Sequence, residues 1–597
     1  MLDALASSFL FKSLNKGVLK ALNKESKLIH LVGGQILFEE GTEADGLYVV
    51  VSGRLQAYHM DEKGNRNVLG EIGKGETVGE LGLILAENRS SCVAAIRDSE
   101  LLFLSRKSFE RLIKKYPEVM LEISRLIIDR YRTMLKSGHD INKISTIAVI
   151  PASPDVPLKR FVQDLKFAFT KANYSACHMT EYHIKEQLPK LDKEKDKHAV
   201  IGRYLNELEA NNDFVIYEGN FVSDQWSSQS IRQADRVIVV ANSDSTKDIE
   251  IIHERLKSYK ALSDLSKWDL VLLHSDIVIE PRDTGKWLDT EFFDRWYHVI
   301  KDRQEDYDRL VRWYTGNAVG LVLSGGGARG FAHIGVIKAL REKGIPIDAI
   351  GGVSMGSLIA AEIAAGASDY AIEKVHTNVF VKRNIFGDMT MPVSALTTGE
   401  RVNKDLVAFF GDRKIEDLWL PYFCVSCNLS RSKQYTHYRG EVWKAVRAST
   451  SLPGITPPVI HDGDIYVDGG IVNNLPSDVM DEQGVGHVIA VDVASSRTLT
   501  TKLPDMESIS MMDLLSRKYI KRQDSDAPSI FSILIRSGTI GSITAQEQAM
   551  KYADSYLNIP LEEFGLLDWL KMHDIIKIGY KYTLNQIEKK YLDVETV

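Results

Sequence analysis

Cysteine is scarce in this sequence, with four in 597 residues, too few for a disulfide framework. Two of them, Cys424 and Cys427, form a lone C-x-x-C inside a strand-like run from Tyr422 to Asn428. Residues three apart on a strand face opposite ways, so the pair reads as core packing and no metal site is expected. Runs of about 18 apolar residues, the length of a membrane-spanning helix, are absent. Near its start the chain carries Asp3 and no sustained apolar core before a cleavage site. These absences predict a cytoplasmic protein whose membrane contact, where it occurs, is peripheral and at an inner face. No G-x-x-x-x-G-K-[ST] is present, so nucleotide hydrolysis has no visible machinery. The formal charge of -7 gives no bulk attraction to nucleic acid, and any anion site must be local.

The length excludes a single core. A multidomain α/β chain is expected: an N-terminal β-barrel (jelly roll) plus helix over residues 1–140, a middle α/β domain over 141–315, and a C-terminal α/β domain over 316–597. The first block opens with short helices and then changes to short strands roughly every eight to twelve residues, the rhythm of a small antiparallel barrel. Gln35–Phe38, Gly46–Gly53, Arg54–Tyr58 and Glu100–Leu104 are such runs. Helical periodicity then predicts one long helix from Lys107 to Leu135, with Leu112, Met120 and Ile127 on its apolar stripe.

In the middle block, strand-like runs at Thr146–Ile150, Phe214–Tyr217, Arg236–Val240 and Leu270–Leu273 alternate with helical stretches. That alternation predicts a layered α/β domain, read as a spacer or transmitter. A charged helix, Asp302 to Tyr314, leads out of it.

The richest stretch follows, from Ala318 to Gly356. A strand ending at Leu323 runs into Ser324-Gly-Gly-Gly-Ala-Arg-Gly330 and a helix from Phe331 to Lys343. A second strand runs into Gly352-Val-Ser-Met-Gly356 and an apolar helix through Ala365. A glycine-rich turn at a helix start presents free N–H groups to an anion. A serine inside G-x-S-x-G sits on a strained elbow with its hydroxyl exposed. Further on, Asp468 stands at a strand end before Gly469-Gly470, where a side chain projects into a cleft above the sheet. A rival reading takes Gly325-x-Gly327-x-x-Gly330 as a dinucleotide fingerprint with Asp348 on the ribose. It explains neither the elbow at Ser354 nor the turn after Asp468.

Taken together, Gly325–Gly330, Gly352–Gly356 and Asp468–Gly470 resemble the patatin-like phospholipases. The resemblance is nearest to the neuropathy target esterase group, and extends through Trp313–Gly330, Ile415–Cys424, Val446–Pro458 and Gly579-Tyr580. It implies a serine lipid-ester hydrolase, a lysophospholipase or phospholipase, that works on a Ser–Asp dyad without a catalytic cofactor. Ser354 would be the nucleophile and Asp468 its base. The turn Gly325, Gly326, Gly327 and Ala328 would hold the oxyanion. Ser324 departs from the glycine usual in that group, and Met355 from a branched residue. No histidine is expected in the mechanism, with His333 packing locally. Arg329 is read as bracing the glycine turn, and Asn473 and Asn474 as stabilising the turn after Asp468.

Within the barrel, Gly79-Glu80-Leu81-Gly82-Leu83 and Arg89-Ser90-Ser91 resemble the phosphate-binding cassette of cyclic nucleotide-binding domains, as in bacterial catabolite activator proteins. Arg89 suits a cyclic phosphate and Glu80 a ribose hydroxyl. Amides near Gly79 and Leu81 and the hydroxyls of Ser90 and Ser91 would complete the cradle. The effector implied is cAMP or cGMP, with Cys92 leaving the base preference open. The bland alternative is a barrel without ligand in which Glu80 and Arg89 merely pair. The long helix would pair with a second copy, as in catabolite activators, giving a homodimer. The apolar segment Phe380–Met391, broken by Lys382, Arg383 and Asp388, fits a lid or a shallow membrane contact, and equally an ordinary surface loop with a buried face. A different class of function is a cyclic nucleotide receptor whose C-terminal domain binds lipid or a partner without turnover.

Overall fold

The computed structural model describes residues 24–61, 66–117, 119–120, 123–125, 127–128, 144–188, 197–222, 224–245, 249–260, 266–275, 280–289, 292–383, 387–391, 394–494 and 549–592. The short helices expected at the start and the expected division at 140/141 lie outside them. The chain separates into two compact units, one through Asn317 and the other from Ala318.

The first unit begins with two four-stranded sheets, both antiparallel. One runs Lys27–Leu31, Ser99–Ser105, Gly46–Ser52, Thr77–Val78, and the other Ile36–Phe38, Cys92–Ala95, Leu55–Met60, Arg66–Ile72. Alternating apolar residues fill the space between them, with Tyr48, Val50, Leu55, Val93 and Leu101 buried in one cluster. This is the expected jelly-roll architecture. The helix after it, Arg106–Lys115, is capped by Ser105 and stops at Tyr116, whose φ is -137°. Pro117 lacks an N–H and disfavours helical backbone in the residue before it, so the single long helix expected from Lys107 is interrupted there. Of the segment expected to pair in a homodimer, residues 118, 121–122, 126 and 129–135 lie outside the described residues.

The same unit continues with a six-stranded parallel sheet in the order Ala176–Met179, Phe214–Glu218, Thr146–Pro151, Arg236–Asn242, Lys267–His274, Arg295–Ile300. Its central strands are continuous apolar runs because helices cover both faces. Thr146–Pro151 and Arg236–Asn242 are buried at every position. The two edge strands, absent from the sequence reading, carry Cys, His, Arg and Trp in place of such runs.

The second unit is built on an eight-stranded sheet. Its strands are β1 (Val319–Leu323), β2 (Ala349–Val353), β3 (Tyr422–Asn428), β4 (Lys433–His437), β5 (Val459–His461), β6 (Asp464–Asp468), β7 (His487–Asp492) and β8 (Ser555–Asn558). The order is β5-β6-β3-β2-β1-β7-β8, with β4 also on β3. β1, β2, β3, β7 and β8 are mutually parallel, and β6 is antiparallel to β3. Both cysteines of the C-x-x-C are buried in β3 as free thiols, and burial pushes the Cys424 thiol up to about 12. The helix Met572–Glu588 lies along Ala332–Glu342, and glycines permit the approach. A Cβ on Gly335 would fall 2.0 Å from the Ile576 carbonyl oxygen, and one on Gly579 2.3 Å from that of Ala332. Among the described residues, no helix is long and apolar enough to cross a membrane.

Candidate functional site

β2 ends at Val353, and the chain reverses at Ser354 into the helix Met355–Ala364. Ser354 adopts φ 53°, ψ -124°, a region that non-glycine residues occupy only when their surroundings hold them there. The neighbouring glycines make the turn fit. A Cβ at Gly352 would lie 2.5 Å from the Leu323 carbonyl oxygen, and one at Gly356 2.3 Å from the same atom. The Ser354 N–H donates to Ser449 Oγ at 3.0 Å, and that hydroxyl donates to the Val425 carbonyl at 2.7 Å. The elbow is thus tied to β3 by a side chain whose sequence context, Ala448–Pro458, carried no assigned role.

Asp468 closes β6, 3% exposed. Its N–H donates to the Ser451 carbonyl at 2.9 Å, so the same serine-rich segment holds both site residues. Oδ1 accepts from the Gly470 N–H at 2.8 Å. Among the described residues, the buried Oδ2 has no hydrogen-bond partner, and Ser354 is the side chain that acts on the carboxyl. Burial pushes the Asp468 carboxyl up to about 6, against the opposing pull of Ser354 and the Gly470 amide. A carboxylate in this range titrates where a general base is useful.

The glycine turn divides more finely than its sequence suggests. The Ala328 N–H donates to the Leu566 carbonyl at 2.8 Å, and the Gly325 N–H points to the Asn474 carbonyl at 3.4 Å. Those two amides, expected among the oxyanion donors, already have acceptors inside the unit. Among the described residues, the N–H groups of Gly326 and Gly327 make no backbone hydrogen bond. Gly327 takes φ 56°, and a Cβ on it would meet the Leu566 carbonyl oxygen at 2.4 Å. Ser324, where glycine is usual, accepts from the Val493 N–H through Oγ at 2.9 Å. Arg329 Nε donates to the Phe564 carbonyl at 2.8 Å, so the brace runs to the C-terminal segment. Asn474 Nδ2 donates to the Gly325 carbonyl at 3.3 Å, while Asn473 Nδ2 donates to Asp478 at 2.9 Å. Asn474 thus links to the glycine turn, and Asn473 also donates to Gln434 on β4 at 3.1 Å.

Ser354 and Gly327 open onto a cavity of about 90 Å³, walled by Met355, Leu358, Val379, Phe380, Leu406 and Trp569 among others. Phe380 belongs to this wall, on a π-helical turn Thr377–Lys382. Met389 and Met391 are 66% and 83% exposed, and Ile385 and Phe386 lie outside the described residues. Trp569 and Leu566 had no motif to signal them.

Three of the histidines are held by partners other than the dyad. His333 Nε2 sits 2.9 Å from the Ser324 carbonyl oxygen, and burial pushes it down to about 4. His437 meets Ser426 Oγ at 2.8 Å and His487 meets Ser555 Oγ at 2.9 Å. Asp348 is fully buried and accepts from the Val319 N–H at 2.9 Å. It caps a strand inside the core and cannot meet a ribose. No group of three or more His, Cys, Asp or Glu among the described residues is placed to hold a metal ion.

In the barrel, Gly79 has φ 85° and precedes the short helix Glu80–Ile84. Arg89 folds back on it, donating to the Gly79 carbonyl at 3.0 Å, the Gly46 carbonyl at 2.9 Å and Asp45 Oδ1 at 2.6 Å. Its guanidinium lies 4.1 Å over the Phe38 ring. Asp45, not Glu80, is its carboxylate partner. Glu80 is buried, Leu81 and Ser90 are exposed, and Ser91 is half-buried. The Cys92 thiol is buried and accepts from the Glu40 N–H at 3.3 Å.

Residues 321–481 match the patatin-like phospholipases, residues 143–316 the neuropathy target esterase family P-loop like domain, and residues 28–116 the cyclic nucleotide-binding domain. By these matches the chain is similar to neuropathy target esterase family proteins that carry a patatin-like phospholipase domain. The patatin-like segment contains both Ser354 and Asp468, while Leu566 and Trp569 fall beyond its matched range. Similar curated proteins include lysophospholipase NTE1 of Yarrowia lipolytica, 29% identical over 93% of this chain and 45% of that protein. Lysophospholipase nte1 of Aspergillus niger is 30% identical over 94% and 41%. The patatin-like phospholipase domain-containing protein ZK370.4 of Caenorhabditis elegans is 31% identical over 92% and 45%. The chain thus spans less than half the length of these relatives.

Proposed function

We propose that this chain is a serine esterase of the patatin-like type, a lysophospholipase that releases fatty acid from monoacyl lipids on a Ser354–Asp468 dyad. One observation carries the reading. A serine on a strained elbow stands beside a buried carboxyl pushed up to about 6, at the mouth of an apolar cavity. Asp468 takes the proton from Ser354 Oγ as that oxygen attacks the ester carbonyl. The oxyanion is held by the unengaged amides of Gly326 and Gly327. Collapse of the tetrahedral intermediate expels the glycerol oxygen, which takes the proton back from Asp468. Water, deprotonated by the same carboxylate, then attacks the acyl-enzyme, and fatty acid leaves with Ser354 reprotonated. The acyl chain lies along Leu358, Val379 and Leu406, whose apolar walls exclude water from the intermediate.

The barrel is proposed to modulate this activity by binding a cyclic nucleotide at Gly79, Glu80, Leu81, Arg89, Ser90 and Ser91. The match to the cyclic nucleotide-binding domain supports that reading. Substrate is met from a membrane surface, at the cytoplasmic face. Fatty acid release from a lysophospholipid, compared between the purified protein and Ser354→Ala, tests the enzyme. Equal rates would end the esterase reading and leave a nucleotide receptor. Calorimetric titration with cAMP and cGMP tests the sensor, since binding heat must vanish in Arg89→Ala.

A further inference from the structure

The cavity at Ser354 is walled mostly by hydrocarbon, yet three ionisable side chains line it as well: Asp405, which pairs with Arg383, and the buried Glu362 and His376. Glu362 sits two turns into the helix that Ser354 opens, and His376 ends the helix Asp369–His376. Their side chains are 2% and 1% exposed, with His376 Nε2 2.8 Å from Glu362 Oε2. A carboxylate accepts, so Nε2 carries the proton, and in the neutral ring Nδ1 is left as an acceptor. Among the described residues, the buried Nδ1 has no hydrogen-bond partner. The ring is fixed in place, stacked on Phe380 at 5.3 Å and edge-on to Phe331 at 5.7 Å. Directly after it the chain enters the π-helical turn Thr377–Lys382, which carries Phe380 to that position. A wall that served hydrocarbon alone would be more stable with two apolar side chains here, since a buried polar atom without a partner is destabilising.

We infer that His376, oriented by Glu362, is a specificity-determining residue whose Nδ1 accepts a hydrogen bond from a hydroxyl of the lipid ester held at Ser354. The inference rests on the esterase reading of that serine. The hydroxyl comes either from the glycerol of a monoacyl glycerophospholipid or from a hydroxylated acyl chain. A diacyl lipid with plain chains has neither, and entering the site would leave Nδ1 unpaired. Pockets built around a substrate hydroxyl reject analogues that lack it far more strongly than apolar pockets sort by size. Glu362 acts through His376 and is a positioning residue.

The test compares kcat/KM for three esters of one chain length. These are palmitoyl lysophosphatidylcholine, its 2-deoxy analogue, and the 2-deoxy analogue carrying a 3-hydroxypalmitoyl chain. The wild-type protein should cleave at least one hydroxyl-bearing ester about tenfold or more faster than the plain deoxy compound, and which one does so identifies the source. His376→Phe should bring that ratio to about one, a readout in which any loss of rate common to the three esters cancels. Glu362→Gln, which keeps the shape of the pair, should lower the ratio. A wild-type protein that cleaves all three esters alike, or a ratio that survives both substitutions, overturns the inference alone. Failure to cleave any of them overturns the esterase reading and this inference with it.

Discussion

Arg97 of the barrel and Asp235 of the parallel-sheet domain form a buried ion pair, with Nε 2.8 Å from Oδ1 and side chains 1% and 2% exposed. Arg97 also forks onto Glu209, Nη1 to Oε2 at 3.0 Å and Nη2 to Oε1 at 2.6 Å. Arg54 brings a second guanidinium to the same Asp235 oxygen at 3.2 Å. The other oxygen accepts from the N–H groups of Ser145 at 2.8 Å and Thr146 at 3.1 Å. Burial alone would raise this carboxyl, but the two arginines and the amides outweigh it and push it down to about 2.

Arg97→Ala should therefore destabilise the first unit by about 3–5 kcal/mol, because it takes the guanidinium from the buried Glu209 side chain and leaves Asp235 with Arg54 as its counter-charge. A urea titration checks this, and an unchanged midpoint would show that the joint carries no stability. The acid dependence has a fixed sign. Asp235 is depressed in the folded protein, so its contribution is complete above its unfolded pKa and is lost as pH falls from there through about 2.

Asp468 has the opposite sign. Its folded-state carboxyl lies at about 6, so stability is greatest below its unfolded pKa and is lost as pH rises through about 6. Activity needs the ionised form, so the ester-hydrolysis rate should fall about tenfold per pH unit below that point. Asp468→Asn should then abolish turnover yet raise stability at pH 7 by about 2–3 kcal/mol, since the buried charge is removed. A variant that is both inactive and less stable in thermal melting would contradict the account.

Ser354 offers a paired test of strain. Its φ of 53° costs about 1–3 kcal/mol for a residue with a Cβ, and glycine escapes that cost. Ser354→Ala and Ser354→Gly should both be inactive, but only the glycine variant should melt at a higher temperature than the parent. Identical melting of the two would mean the elbow holds no strain.

The elbow was legible in the sequence because its demands are local: two glycines flank the serine, and each is required by a carbonyl within reach. Asp468 was legible for the same reason, standing at a strand end before paired glycines. The acceptor that takes the Ala328 amide was not, since it is a backbone carbonyl at Leu566, a position whose side chain gives no hint of the role. Glu362 and His376 are fourteen positions apart, on two helices, and show no spacing that a motif would record. The edge strands Ala176–Met179 and Arg295–Ile300 were missed because they lack the apolar runs of the central strands. The break at Pro117 did have a signal, but the hydrophobic stripe on either side of it outweighed a single proline.

The glycine turn supplies the sharpest test of the oxyanion assignment, because neighbouring amides are in different states. The Ala328 N–H is held by Leu566 at 2.8 Å, so Ala328→Gly leaves the donors where they are and should change kcat little. Gly327 is another matter. Its φ of 56° and the Leu566 carbonyl oxygen 2.4 Å from an added Cβ mean that Gly327→Ala must move either the turn or the C-terminal segment. Either movement takes the Gly327 amide away from the reacting carbonyl. Loss of one such donor lowers kcat by about 10²–10³, with KM nearly unchanged because the donor acts on charge that develops only in the transition state. Steady-state kinetics on one lysophospholipid decide it. A Gly327→Ala protein with wild-type kcat would move the oxyanion site away from this turn.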